Sequence, residues 1–258
     1  MIEGHLYIFP LLVCILVPIA YLISFIVAIH LGHLKFEYSF FSQSLTNSPE
    51  SCIYSQIINF TSFILIITIY IRYRQIAELI RNHPTCGKKC SQLNLTFLTC
   101  GMITAFSMSI IANFPHSNVF LVRILATYIT FITSVGALYC EMLLSFWIRP
   151  LLYSSRILPF IRMILSIICT FIFIIFIIFQ TITIIKYDNQ EKLWTSISPG
   201  WKYHFGSSLS TWILTSCLLI YISTLIIDFR RIKIISPKIY LTTDIIDDQM
   251  NHRLSFSI

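Results

Sequence analysis

The sequence predicts an all-α integral membrane protein: a bundle of six transmembrane helices with its N- and C-termini in the cytosol. Three observations carry this. Hydrophobic residues make up 56% of the 258 residues and charged residues only 11%, where soluble domains carry about a quarter charged. Mean hydropathy is +0.79. Apolar segments at about 6–29, 52–71, 92–114, 119–147, 160–185 and 205–229 each reach the length a bilayer core requires. The connections are too short for a soluble module, so residues 1–258 read as one membrane domain with a cytosolic tail at 230–258.

The first span does not read as a cleavable signal. Glu3 and His5 stand where a basic region would be, and no small-residue cleavage site follows. Pro10 and Pro18 are expected to bend it. The second span follows a turn at Pro49-Glu50-Ser51 and carries Cys52, Ser55, Gln56, Asn59 and Ser62 within an arc of roughly 120°. Facing lipid, such groups would stay unsatisfied at several kcal/mol each. The arc is therefore expected to face other helices or a wet cavity. Asn59 is expected to bond across to a neighbouring helix, with Asn113 at the end of the third span as its companion.

In the third span, Gly101, Ala105, Ser109 and Ala112 allow close backbone approach. The turn at 115–118 makes the third and fourth spans an antiparallel hairpin. The fourth carries Arg123 near its start and Glu141 well inside. The fifth is apolar all round, as a lipid-facing helix would be. The sixth ends at Asp228, before a basic and then acidic tail with a short interfacial piece at 232–240.

Orientation follows from the Lys and Arg residues. Arg72, Arg74, Arg81, Lys88, Lys89, Arg149, Arg156 and Arg162, with the bases of the tail, fall on one side. Lys35, Arg123, Lys186, Lys192 and Lys202 fall on the other. The richer side is assigned to the cytosol. The net charge of +7 then reflects topology and attraction to anionic lipid, and nucleic-acid binding is excluded. The eight cysteines form no disulfide framework, since most lie in spans or in a reducing cytosolic loop. The sequons at Asn59 and Asn94 lie in or at the edge of spans and are expected to be unused.

Glu141 has two readings. It is a proton or ion site on a pathway, or a carboxyl kept protonated by desolvation and bonded to a facing helix. The second is preferred, because the sequence shows no other acid at comparable depth. His83, Cys86 and Cys90 have zinc-like spacing, but a solvated, S-acylated loop is the preferred reading. His30 and His33 are weak candidates for a pH sensor. Arg230, Arg231 and Lys233 are candidates for an anionic phosphoinositide headgroup, although a positive-inside stop signal explains them more simply. No catalytic motif, metal site or cofactor site stands out.

The stretch from Ser48 to Arg74, SPESCIYSQIINFTSFILIITIYIRYR, resembles the DNA-damage-regulated autophagy modulator (DRAM) family, within the wider Frag/DRAM/Sfk group. Ile111-Ala112-Asn113-Phe114, then Tyr203-His204 with Ser207 and Trp212, and Asp228-Phe229 agree in register. The resemblance implies a six-span membrane protein of lysosomes or endosomes, a non-enzymatic regulator of autophagy linked to apoptosis. Its implied partners are the lipid bilayer and the autophagy machinery, with no cofactor. It marks Pro49, Glu50, Ser51, Asn59, Asn113, Trp212 and Asp228 as candidate structural or functional residues, to which the reading of the fourth span adds Glu141. The Sfk-like side of the group implies an alternative, a plasma-membrane organiser of phosphoinositide kinase recruitment or lipid asymmetry. A third reading is a small proton-coupled transporter built on Glu141. The chain departs from the family pattern in three places. Ser42-Gln43-Ser44-Leu45 lacks an expected acid, Thr211 replaces another, and Glu141 stands where glutamine is expected.

Overall fold

The computed structural model describes residues 5–33, 47–82, 87–114, 119–152, 157–186 and 200–230. Six helices account for nearly all of them: α1 Ile8–His30, α2 Glu50–Asn82, α3 Gly87–Asn113, α4 Phe120–Leu152, α5 Ile157–Lys186 and α6 Trp201–Phe229. All six are long and apolar enough to cross a membrane. The protein is therefore an integral, multi-pass, all-helical membrane protein.

The helices outrun the apolar segments that announce them. α2 continues through Arg72, Arg74 and Arg81 to Asn82, and α5 already includes Arg162 in its second turn. Hydropathy marks the edge of hydrocarbon, whereas charged residues of good helix propensity carry the helix beyond it.

Each helix packs against its neighbours in sequence, and α6 returns to pack on α1. The six thus form a closed ring. One close seam joins α2 to α3, where a Cβ on Gly101 would lie 2.8 Å from Ile69 Cδ1 and Cγ2. Ala105 and Ala112 are buried on the same face, so the small residues serve the close approach their spacing suggests. α5 departs from its sequence reading. Most of it faces outward, but Leu158, Arg162, Ser166, Cys169, Phe176 and Thr183 form a buried stripe along one side. Their three-, four- and seven-residue spacing is the helical period, concealed in the sequence because the outward face is equally apolar.

The polar arc of α2 is split by the packing. Ser55 donates to the Ala112 carbonyl on α3, and Asn59 pairs with Asn113 there. Ser62 is buried. Cys52 and Gln56, at the edge of the arc, are exposed instead. At the start of the helix, His33 Nδ1 and Glu50 Oε1 meet at 2.8 Å, tying the end of α1 to the start of α2.

A candidate site: buried charges beneath a central cavity

Four ionisable side chains from four helices converge inside the ring near the end where α1 begins and α6 ends. They are Arg72 of α2, Glu141 of α4, Arg162 of α5 and Asp228 of α6, and each is at most 1% exposed. Helical phase brings them there. Arg72 continues the inward stripe of Ile58, Leu65, Ile69 and Ile76. Glu141 continues that of Ser134 and Leu138, and Asp228 that of Leu214, Tyr221 and Thr224.

Glu141 Oε1 accepts from Arg72 Nε at 2.9 Å, Arg72 Nη2 at 2.5 Å and Arg162 Nη1 at 3.0 Å. Asp228 Oδ2 lies 3.1 Å from Arg72 Nη1 and 2.7 Å from Arg162 Nη2. Each carboxylate therefore binds both guanidinium groups, and the four charges cancel. Neutral groups use the remaining donors. Arg72 Nη1 donates to Gln75 at 2.6 Å. Arg162 donates to Ser145 Oγ at 2.7 Å and Thr224 Oγ1 at 3.0 Å.

This layer corrects two expectations. Glu141 is not alone at its depth, because Asp228 occupies the same layer. Nor does Glu141 bond to one facing helix alone, since its Oε1 lies between guanidinium groups from α2 and α5. Arg72 and Arg162, taken from sequence as boundary charges, are interior residues. Apolar side chains of the same size would be at least as stabilising as buried ion pairs. What the charges add is a fixed relation among α2, α4, α5 and α6.

Above this layer the ring encloses a cavity of about 290 Å³, lined by all six helices. Its walls are mostly apolar, and Glu141 belongs to its floor. Toward the opposite end it meets polar groups: Arg123 of α4, Gln180 of α5 and His204 of α6. An aromatic collar accompanies them. The Tyr21 ring lies 5.1 Å from that of Tyr54 and 4.9 Å from that of Trp212, and the Tyr54 hydroxyl donates to the Tyr21 hydroxyl at 3.1 Å.

The family model described as the Frag1/DRAM/Sfk1/Cwh43P N-terminal domain matches residues 5–232. The chain belongs to this family. Among its curated relatives, the human DNA damage-regulated autophagy modulator protein 2 is 25% identical over 83% of this chain and 80% of its own. The human DNA damage-regulated autophagy modulator protein 1 is 27% identical over 83% and 86%. A zebrafish (Danio rerio) relative, the modulator of macroautophagy TMEM150B, is 22% identical over 78% and 74%. No solved structure matches the chain.

The residues that carry the Frag1/DRAM/Sfk1 resemblance are dispersed through the fold. Pro49, Glu50 and Ser51 open α2, with Glu50 buried against His33. Asn59 and Asn113 lie on the α2–α3 seam, Trp212 in the cavity collar, and Asp228 in the charged layer, where Glu141, a departure from the family pattern, also sits. Thr211, the position lacking an expected acid, lines the cavity and donates to the Ser207 carbonyl at 3.0 Å. Ser42–Leu45, His83, Cys86, Arg231, Lys233 and the 232–240 segment lie outside the described residues. Cys90 is buried. Arg230 is exposed after α6, with its guanidinium 5.5 Å from the centre of the Tyr7 ring.

Sequence reasoning missed Arg72 and Arg162 as members of the charged layer. Their signal was phase: each falls on the inward stripe of its own helix. It also missed the cavity, which depends on α6 closing against α1.

Proposed function

We propose that this protein is a non-enzymatic modulator of autophagy in lysosomal or endosomal membranes, coupled to apoptosis as the family resemblance implies, with both termini in the cytosol. The observation that carries this reading is the match, over about four-fifths of both chains, to relatives named as autophagy modulators. The geometry is compatible with it. The interior charges are paired with one another, which suits a fixed scaffold that presents its ends to partner proteins. The partners proposed are the lipid bilayer and components of the autophagy machinery.

The test is localisation with a flux measurement. A tagged chain is expected on acidic organelles, and its depletion is expected to lower autophagic flux. Cell-surface signal with unchanged flux would overturn the reading in favour of the kinase-organiser alternative. In that case, neutralising Arg230, Arg231 and Lys233 should release a recruited phosphoinositide kinase. The transporter alternative requires Glu141→Gln to abolish a measurable proton-coupled flux. The two guanidinium groups on Glu141 argue against a freely cycling proton carrier.

A further inference from the structure

The central cavity is long. Arg123, near its polar end, and Glu141, at its floor, are both on α4, and the eighteen residue steps from one to the other rise about 27 Å. Mostly apolar walls sustained over that depth can take one extended hydrocarbon chain.

The walls are more apolar than their composition implies. Thr68, Thr127, Thr130 and Ser134 line the cavity, but each hydroxyl donates to a carbonyl of its own helix: Ile64, Arg123, Ala126 and Phe131 respectively. With its donor used this way, a threonine presents mainly a methyl group.

The polar end is different. Among the described residues, no carboxylate lies within ion-pair distance of Arg123. Its hydrogen bonds to the described residues are two long ones from Nη1, to the carbonyls of Ile111 at 3.4 Å and Phe114 at 3.3 Å. A half-buried guanidinium has five donors in a planar fork suited to a carboxylate or phosphate. Tyr21, Tyr54 and Trp212 form the collar close to it.

We propose that the cavity binds one single-chain anionic amphiphile, its carboxylate or phosphate on Arg123 and its hydrocarbon tail running toward the charged layer. A tail leaving the bilayer gains no hydrophobic energy, because lipid is as apolar as the cavity. Selectivity must then come from the headgroup on Arg123 and from the fit of chain length. A sixteen-carbon chain extends about 19 Å, at a third of an extended residue's rise per bond. At the floor, Glu141 Oε2 has no hydrogen-bond partner among the described residues, and a water below the end of the tail would satisfy it. Much longer chains would press hydrocarbon onto that oxygen.

The test uses the full chain, purified and reconstituted in zwitterionic phosphatidylcholine nanodiscs. The probes are palmitate, a 16-carbon lysophosphatidate, the matching lysophosphatidylcholine, a 24-carbon fatty acid and cholesterol. Native mass spectrometry reads stoichiometry, and a diazirine-bearing palmitate maps the site. One bound anionic probe per chain is expected, with crosslinks on cavity residues of α2, α4 and α6. Palmitate and lysophosphatidate arms distinguish a carboxylate from a phosphate source, and preference for either supports the site. Arg123→Gln should weaken the preferred anion about tenfold or more, Arg123→Lys much less, and Thr130→Phe should block the tail. The proposal is overturned if folded wild-type protein shows no saturable anion binding, or if cholesterol or lysophosphatidylcholine binds equally well. Crosslinks confined to the outward face of α5 would also overturn it. Thermal unfolding of each variant separates loss of the site from loss of the fold, and the wild-type probe series decides the matter even if a variant fails to fold.

Discussion

Arg162 Nη2 and Asp228 Oδ2 meet at 2.7 Å inside the bundle, linking the start of α5 to the end of α6. Each also contacts a second opposite charge, Arg162 through Glu141 and Asp228 through Arg72. Removing one member therefore leaves an excess buried charge. Asp228→Ala or Arg162→Met is expected to destabilise the protein by about 3–5 kcal/mol. The double variant Arg162→Met/Asp228→Leu leaves Arg72 and Glu141 as a neutral pair, and should be more stable than either single variant. Thermal unfolding of the purified proteins in one detergent checks this. Additive losses would show that the four charges are not coupled.

The α2–α3 seam gives a steric prediction. Because a Cβ on Gly101 would approach Ile69 at 2.8 Å, Gly101→Ala should cost about 1–3 kcal/mol through overpacking. Ile69→Ala removes the obstructing atoms and should restore much of the loss in the double variant. Unfolding midpoints of the two single variants and the double variant decide it.

The six helices were legible because each apolar run is membrane-length and each connection short. The charged layer was only half legible. Arg72 is in phase with Ile58, Leu65, Ile69 and Ile76, yet it sits where hydropathy falls and so resembles a boundary charge. That its partner is Glu141, on α4, depends on packing between helices, which no local pattern encodes. α5 failed for the opposite reason: a helix apolar on every side gives no contrast by which to find its inward stripe. The Asn59–Asn113 relation was legible because an amide in a span has few alternatives to an interhelical bond.

That amide pair should contribute modestly. Asn59 and Asn113 exchange two hydrogen bonds of 3.0 Å, and Ser109 adds one to Asn59 Oδ1 at 2.6 Å. Interhelical hydrogen bonds in membranes average about 0.6 kcal/mol by double-mutant cycles. Asn59→Ala should therefore cost about 1–2 kcal/mol, below the effect of breaking the charged layer. A cycle with Asn113→Ala should return a coupling energy of about 1 kcal/mol. A coupling near zero would assign the cost of either change to packing.

Orientation can be tested at Cys52, which is exposed in the first turn of α2, at the end opposite the start of α1 and the end of α6. Arg72 and Arg162 are interior and drop out of the charge comparison that sets orientation. Arg74, Arg81, Lys88, Lys89 and the tail bases remain on the terminal side, so the bias still favours termini in the cytosol. A Cys86→Ser variant removes a competing loop thiol. In intact organelles, an impermeant maleimide is expected to spare Cys52 until the membrane is permeabilised, while protease removes a C-terminal tag at once. Labelling of Cys52 with protection of the tag would reverse the assignment, and the basic tail would then face the lumen, beyond the reach of any cytosolic partner.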